Sequence, residues 1–259
     1  MTDLFERAVP DPAAYLDRLA ATDAARTYKA VILDALDARP GATALDLGCG
    51  SGADLGPLAD AVGPTGKVVG VELLPGLAER ARERTRATAH IGVVAGDLHA
   101  LPFPDGSADL ARTDRGLQHV VDPARALAEI RRVLRPGGRL VMGEPDWDSL
   151  AIDHPDLGLA RAYTRHVADR IVRNGVIGRQ LPRLASEAGF AVRGVVPVTS
   201  VFREVEAADR VLGLRRTTER AVAAGRLSAA EAERWLGHLA TEPFHAAVTL
   251  HVVVAETVA

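Results

Sequence analysis

A strand-like run, Ala44-Leu45-Asp46-Leu47, enters Gly48-Cys49-Gly50-Ser51-Gly52, and a helical pattern opens near Asp54. Glycines at such a junction let the backbone turn sharply and let a ligand come close to the main chain. Glu72 stands 24 residues beyond Gly48, at the end of the next apolar run. A carboxylate in that place can accept hydrogen bonds from both hydroxyls of a ribose. The pair predicts a nucleoside-binding crevice at the carboxyl ends of the strands. Two groups further on could move a proton. His119 follows the fourth apolar run, and imidazole titrates near neutral pH. Glu144 closes the fifth and is followed by Asp146, Trp147 and Asp148. Asp146 and Trp147 could meet a substrate, the indole by stacking on a planar group. Tyr163, His166 and Arg170 are three and four apart on a helical stretch, so Tyr163 and His166 could face a substrate too. Structural roles compete with each of these: Glu144 or Asp146 capping a turn beside Pro145, Trp147 packing, Tyr163 and His166 on a partly solvated helix face.

The elements that must position these residues alternate along the chain. Residues 11–38 carry one or two amphipathic helices, stopped by Pro40-Gly41. Apolar runs follow at 43–47, 67–71, 91–95, 108–111 and 139–143, with helical stretches near 54–62, 76–88 and 123–135. Strands alternating with helices of this length predict βαβ units and a parallel sheet covered on both faces. The second half carries helices at 156–173 and 178–188, an apolar strand from Phe190 to Val198, two helices within 206–240, and a closing strand from Ala246 to Glu256. Ser228 with Glu231 three places on has the spacing of a reciprocal helix cap. The expected fold is α/β: a doubly wound, Rossmann-like, seven-stranded and mostly parallel sheet. The expected segments are lid helices over 1–40, a ligand-binding core over 41–150, the rest of the core over 151–205, a helical cap insert over 206–242 and the last strand over 243–259.

Two ligands suit the glycine loop, a dinucleotide and S-adenosylmethionine. A dinucleotide sets its pyrophosphate on bare amides at the helix N-terminus, and here Asp46 and Asp54 would crowd it with two anions. S-adenosylmethionine carries a cationic sulfonium and an ammonium, which an acidic loop suits better.

In order along the chain, Ala44 to Gly52, Val69-Gly70-Val71-Glu72, Ala95 to Phe103, Asp109-Leu110 through Leu117-Gln118-His119-Val120, and Glu129 to Leu140 resemble the motifs of class I S-adenosylmethionine-dependent methyltransferases. The likeness is dense over residues 40–145 and weaker from Leu181 to Phe190. It implies that Gly48, Gly50 and Gly52, with Asp46 and Cys49 in the same loop, hold the methionine part of the cofactor. Glu72 is then implied for the ribose, Asp97 for the exocyclic amine of adenine, and Leu73 and Leu98 for the two faces of the ring. Thr113 and Arg115 would lie beneath the methionyl end, and Tyr15, Arg26 or Tyr28 would reach the cofactor carboxylate. In some sugar and natural-product methyltransferases of similar pattern, a His after strand four and an acid after strand five share a deprotonation, the places of His119 and Glu144 here.

Methyl transfer from a sulfonium is an in-line displacement with an excellent leaving group. The enzyme has to exclude water, align the nucleophile and, for a hydroxyl, remove a proton. The expected activity is therefore transfer to a small-molecule acceptor, at oxygen before nitrogen before carbon. The alternative is the same fold and cofactor site serving decarboxylation or cyclisation.

Composition narrows the rest. The chain has 259 residues, 31 Lys and Arg against 34 Asp and Glu, and 4% aromatic residues. That balance gives neither the basic footprint nor the stacking platforms of a nucleic-acid enzyme. A single cysteine excludes an internal disulfide and a cysteine-rich zinc site. The Met1–Arg7 segment shows no signal-peptide pattern and no apolar run reaches spanning length, so a cytoplasmic protein without membrane partners is expected. A homodimer through the cap helices is compatible with the sequence.

Overall fold

The structure, a computed structural model, describes residues 11–241 and 243–258. The Met1–Arg7 segment lies outside the described residues. Seven strands form one sheet in the order β3-β2-β1-β4-β5-β7-β6. They are β1 (Thr43–Leu47), β2 (Lys67–Glu72), β3 (Ile91–Ala95), β4 (Ala108–Asp114), β5 (Leu134–Ile152), β6 (Phe190–Phe202) and β7 (Ala246–Thr257). Only β7 runs against its neighbours. The chain turns from β1 to β2 on one side, while β4 pairs with β1 on the other. That reversal leaves a crevice at the carboxyl ends of β1 and β4.

Helices cover both faces. On one lie α1 (Pro12–Ala20), α2 (Asp23–Ala35), α3 (Leu55–Val62) and α4 (Pro75–Thr85); on the other, α5 (Pro123–Val133) and α7 (Ile177–Glu187). Their starts are written locally. The Asp11, Thr22 and Asp122 side chains accept from Ala14, Ala25 and Arg125 N–H, satisfying donors that the first helical turn leaves open. Leu127 and Ile130 of α5 and Leu181 of α7 join Leu47, Val71 and Met142 in one core. Tyr28 and Ile32 of α2 join Leu55 and Leu58 of α3 in a second core on the opposite face.

The cap has a third core of its own. Helices α6 (Leu157–His166), α8 (Val205–Leu212), α9 (Leu214–Ala223) and α10 (Ala229–Leu239) bury Tyr163, Leu214 and Trp235 with Leu150, Ile152 and Phe202 from the ends of β5 and β6. Three features differ from the sequence expectation. The fifth strand runs over Leu134–Ile152, not 139–143, because β7 pairs with it as far as Ile152 and Thr257 accepts from Gly138 N–H. The 156–173 helix ends at His166 and widens into a π-helical turn over Val167–Ile171. The insert holds three helices, since Gly213 takes a left-handed backbone (φ +63°) between Leu212 and Leu214. Among the described residues no helix is long and apolar enough to cross a membrane.

Helix α7 leans directly on β5. A Cβ at Gly178 would stand 2.6 Å from the Glu144 carbonyl oxygen and 3.0 Å from that of Pro145. Gly178→Ala is expected to destabilise the fold by about 1–3 kcal/mol through overpacking, read as a lower urea midpoint with unchanged slope.

Candidate active site

The glycine loop is shaped by its φ angles and its neighbours. Gly48, Gly50 and Gly52 all have positive φ, between +55° and +76°. A Cβ on Gly50 would meet Leu16 of α1 at 2.9 Å, and one on Gly52 would meet the Ala81 Cβ of α4 at 2.9 Å. The loop is thus clasped between the lid and a core helix. Glu72 braces it from β2, accepting from Gly50 N–H and Leu74 N–H, both at 2.9 Å. Asp17 fastens the lid: it accepts from the Ser51 hydroxyl and from the Arg84 guanidinium, each at 2.7 Å. Tyr15 ties the other side of the lid to the cap by donating to the Val211 carbonyl.

Beneath the loop lies a charge network that the sequence does not announce. Arg112 of β4 is buried, with 2% of its side chain exposed. Its guanidinium stands 3.4 Å from Asp46, 3.2 Å from Asp54 and 3.3 Å from Asp114. Lys29 of α2 binds Asp54 and Asp114 as well. Burial pushes the Asp46 carboxyl up to about 6 against the pull of Arg112. Burial also opposes the charge on Lys29, but Asp114 and Asp54 outweigh it and hold the ammonium above its ordinary value. Burial, with Asp46 and Glu72 nearby, pushes the Cys49 thiol well up, so it is no reactive thiolate.

A cavity of about 680 Å³ opens above this network, within the ~300–1,000 Å³ common for small-molecule sites. Its walls bring together many of the sequence-predicted residues: Asp46, Gly48, Cys49, Gly50, Glu72, Leu73, Asp97, Leu98, Arg115 and His119. Tyr15 and Tyr28 line it, whereas Arg26 does not and pairs with Asp23 at the surface. Lys29, Ser51 and Asp54 line it too; the sequence flagged Asp54 only as a charge, and its partners come from distant segments. Asp97 is held by His99, whose backbone N–H and ring Nδ1 sit 2.9 and 2.6 Å from one carboxylate oxygen. Burial raises the Asp97 carboxyl, but these bonds outweigh it and keep it below its ordinary value. Arg115 has a left-handed backbone (φ +58°), a costly state for a non-glycine residue and one that recurs at functional sites. Its N–H bonds to the Gly143 carbonyl, and its side chain faces Tyr15 and Tyr28.

Other predicted residues lie elsewhere, each for a physical reason. Gly52 packs on Ala81, and Thr113 is buried inside β4, within 2.8 Å of where a Cβ on Gly116 would be. Glu144 is wholly buried and accepts from Leu117 N–H at 2.6 Å and Gln118 N–H at 3.3 Å. It anchors the loop that carries His119 rather than facing the cavity. Trp147 serves the same loop by donating its indole N–H to Gln118 at 2.8 Å. Asn174 completes the clamp, donating to the Leu117 and Val120 carbonyls. Asp146 is taken up by Arg179 of α7, which also reaches Asp148 at 3.2 Å. Tyr163 and His166 are buried in the cap core, Tyr163 stacked on Trp235 with ring centres 4.7 Å apart.

Residues 45–142 match the family model described as a methyltransferase domain. Over 253 residues the chain is 68% identical to an uncharacterized 37.1 kDa protein in transposon TN4556 of Streptomyces fradiae, covering 98% of this chain and 73% of that one. It is 35% identical to a demethylmenaquinone methyltransferase of Staphylococcus aureus over 127 residues, 49% of this chain and about half of that enzyme. The fold resembles geranyl diphosphate C-methyltransferase from Streptomyces coelicolor, solved with S-adenosyl-L-homocysteine, at a TM-score of 0.58 and 17% identity, over 90% of this chain and 76% of that one. Fold and site define an S-adenosylmethionine-dependent methyltransferase. The domain over residues 45–142 is of class I, and over nearly its whole length the chain is a relative of the transposon protein of Streptomyces fradiae.

Two outcomes follow from these contacts. Arg112→Met leaves three carboxylates to Lys29 alone and is expected to cost about 3–5 kcal/mol in denaturant unfolding. Burial pushes the Glu144 carboxyl from 4.5 up to about 8. The folded chain therefore holds that proton more tightly than the unfolded chain, so its stabilising contribution is complete below pH 4.5 and lost as pH rises through about 8. Glu144→Gln, neutral throughout, is expected to flatten the decline, seen as a smaller drop in melting temperature between about pH 5 and pH 8 than in the parent protein.

Proposed function

We propose that this methyltransferase acts on a small-molecule acceptor, at oxygen before nitrogen before carbon, with His119 as the general base. The observation that carries this is the single cavity in which the glycine loop, Glu72, Asp97 and His119 share walls beneath the apolar lid residues Leu16 and Leu19. Its size leaves room for an acceptor beside a nucleoside. Two similar proteins are named for small acceptors, demethylmenaquinone and geranyl diphosphate.

The residues present fit S-adenosylmethionine. Side chains are missing at Gly48 and Gly50 where the main chain borders the cavity, and a Cβ on Gly50 would fill the gap beneath Leu16. Glu72 is fixed by two backbone donors, and its carboxylate oxygens retain lone pairs for ribose hydroxyls. Asp97, half-exposed, is an acceptor for the adenine amine between Leu73 and Leu98. Arg115, held between Tyr15 and Tyr28, is the cation for the cofactor carboxylate. Gly52 contributes by close packing on α4. S-adenosylmethionine supplies an electrophilic methyl group on a sulfonium.

The chain does the rest. Tyr15, Leu16 and Leu19 exclude water, and His119 takes the acceptor's hydroxyl proton as its oxygen becomes nucleophilic. Glu144, Trp147 and Asn174 are positioning residues that hold the His119 loop in register with the cavity.

Calorimetric titration with S-adenosylmethionine and S-adenosylhomocysteine, with NAD and NADP as controls, is the first test. Binding of the adenosyl ligands is expected, weakened by about tenfold or more in Glu72→Ala. Dinucleotide binding instead would overturn the cofactor assignment. In an acceptor screen with labelled methyl groups, His119→Asn is expected to keep cofactor affinity and lose about 10²–10⁴ in rate. Tight cofactor binding with no label transferred to any acceptor would favour decarboxylation or cyclisation.

A further inference from the structure

Arg115 lines the cavity from a left-handed backbone, which a residue with a Cβ adopts only at a cost. Such a state persists where the surroundings over-determine it. Both backbone polar groups of Arg115 are met. Its N–H donates to the Gly143 carbonyl of β5 at 2.8 Å, and its carbonyl accepts from Gln118 Nε2 at 3.1 Å. The second bond comes from a side chain, so the residue at position 118 decides whether this turn is held at both ends or at one.

Gln118 is buried, with 1% of the residue exposed, and its amide is oriented by a neighbour. The Trp147 indole N–H donates to Gln118 Oε1 at 2.8 Å. An indole nitrogen can only donate, and the Arg115 carbonyl can only accept. One orientation of the amide satisfies both: oxygen to Trp147, nitrogen to Arg115. Flipped, it would set donor against donor and acceptor against acceptor. Trp147 is fixed in turn, its backbone N–H donating to the Gly175 carbonyl at 2.8 Å. The Gln118 main chain is pinned as well. Its N–H donates to Glu144, and its carbonyl accepts from Asn174 N–H at 3.0 Å. Beyond Arg115 the line continues into the lid, where the guanidinium hydrogen-bonds the Tyr15 hydroxyl.

We infer that Gln118 is a positioning residue for cofactor binding: its amide, oriented by Trp147, holds Arg115 in the left-handed conformation that aims the guanidinium at the cofactor carboxylate. The inference rests on the reading of Arg115 as the cation for that carboxylate. Gln118 acts through Arg115, since so little of it is exposed and its oxygen is committed to Trp147. An amide is the group this place needs. A carboxylate there lacks the N–H for the Arg115 carbonyl, and an apolar chain lacks both partners. The consequence is selective. Freed at its carbonyl, Arg115 relaxes toward an ordinary backbone and its side chain leaves the carboxylate, while the adenosine end, assigned to Glu72 and Asp97, is untouched.

The test compares two ligands by calorimetry on the full chain: S-adenosylhomocysteine, which has the carboxylate, and methylthioadenosine, which lacks the amino-acid part. Gln118→Met, similar in length but unable to donate, is expected to weaken S-adenosylhomocysteine binding by about tenfold or more. Methylthioadenosine affinity is expected to move by less than about twofold. Arg115→Met is itself expected to lose S-adenosylhomocysteine affinity. Adding Gln118→Met to it is expected to cost less than about twofold more, because the group that Gln118 positions is gone. Trp147→Phe keeps the Gln118 donor but not its orientation. It is expected to show the same selectivity at smaller amplitude, and it decides the matter if Gln118→Met does not fold. Equal weakening of both ligands, or full additivity with Arg115→Met, overturns the inference. Undiminished S-adenosylhomocysteine binding in Arg115→Met overturns the carboxylate reading and the inference with it. Loss there without loss in Gln118→Met overturns the inference alone.

Discussion

Arg112 is a guanidinium inside a β-sheet, and most of the site follows from how its charge is met. A buried cation is tolerated only with close, hydrogen-bonded counterions. Asp54 at the start of α3 and Asp114 at the end of β4 supply the hydrogen bonds, Asp46 near the end of β1 adds its charge at 3.4 Å, and Lys29 of α2 closes the network. These groups come from the segments that diverge at the reversal of strand order. Satisfying Arg112 therefore fixes β1, β4 and the glycine loop relative to one another. It also uses up much of the acidity that the sequence alone assigns to a ligand.

The rest of the site hangs from that frame by separate fastenings. Glu72 holds the glycine loop from β2, and Asp17 holds the lid to the loop. The His119 loop is suspended from Glu144 and Trp147 of β5 and from Asn174 beyond the π-helical turn. The long β5 links the two halves of the molecule. Its first part pairs with β4, and its far end enters the cap core with Leu150 and Ile152.

Much of the architecture was legible along the chain. Alternating apolar runs and helical stretches specified the strands, and the capping box at Ser228 and Glu231 marked the start of α10 where it is found. The cavity residues read most directly were those whose role is played by the backbone or by a strand end, such as Gly48, Gly50 and Glu72. The far half of β5 was missed because Asp146, Trp147 and Asp148 look like a polar loop, and only pairing with β7 makes that segment a strand. The end of a predicted strand places Glu144 toward a ligand, but the turn of the next loop sets two amides over it.

What the sequence determined by itself was local. Glycine's tolerance of positive φ, the periodicity of apolar residues and side-chain caps depend on neighbours a few positions away, and they specified the loop, the helices and the strand order's raw material. Which charge meets which was decided only by the tertiary structure. Lys29 lies 85 positions from Asp114, and Asp17 lies 67 from Arg84. Their encounters depend on strand register and helix docking, and these are set by packing the whole core at once.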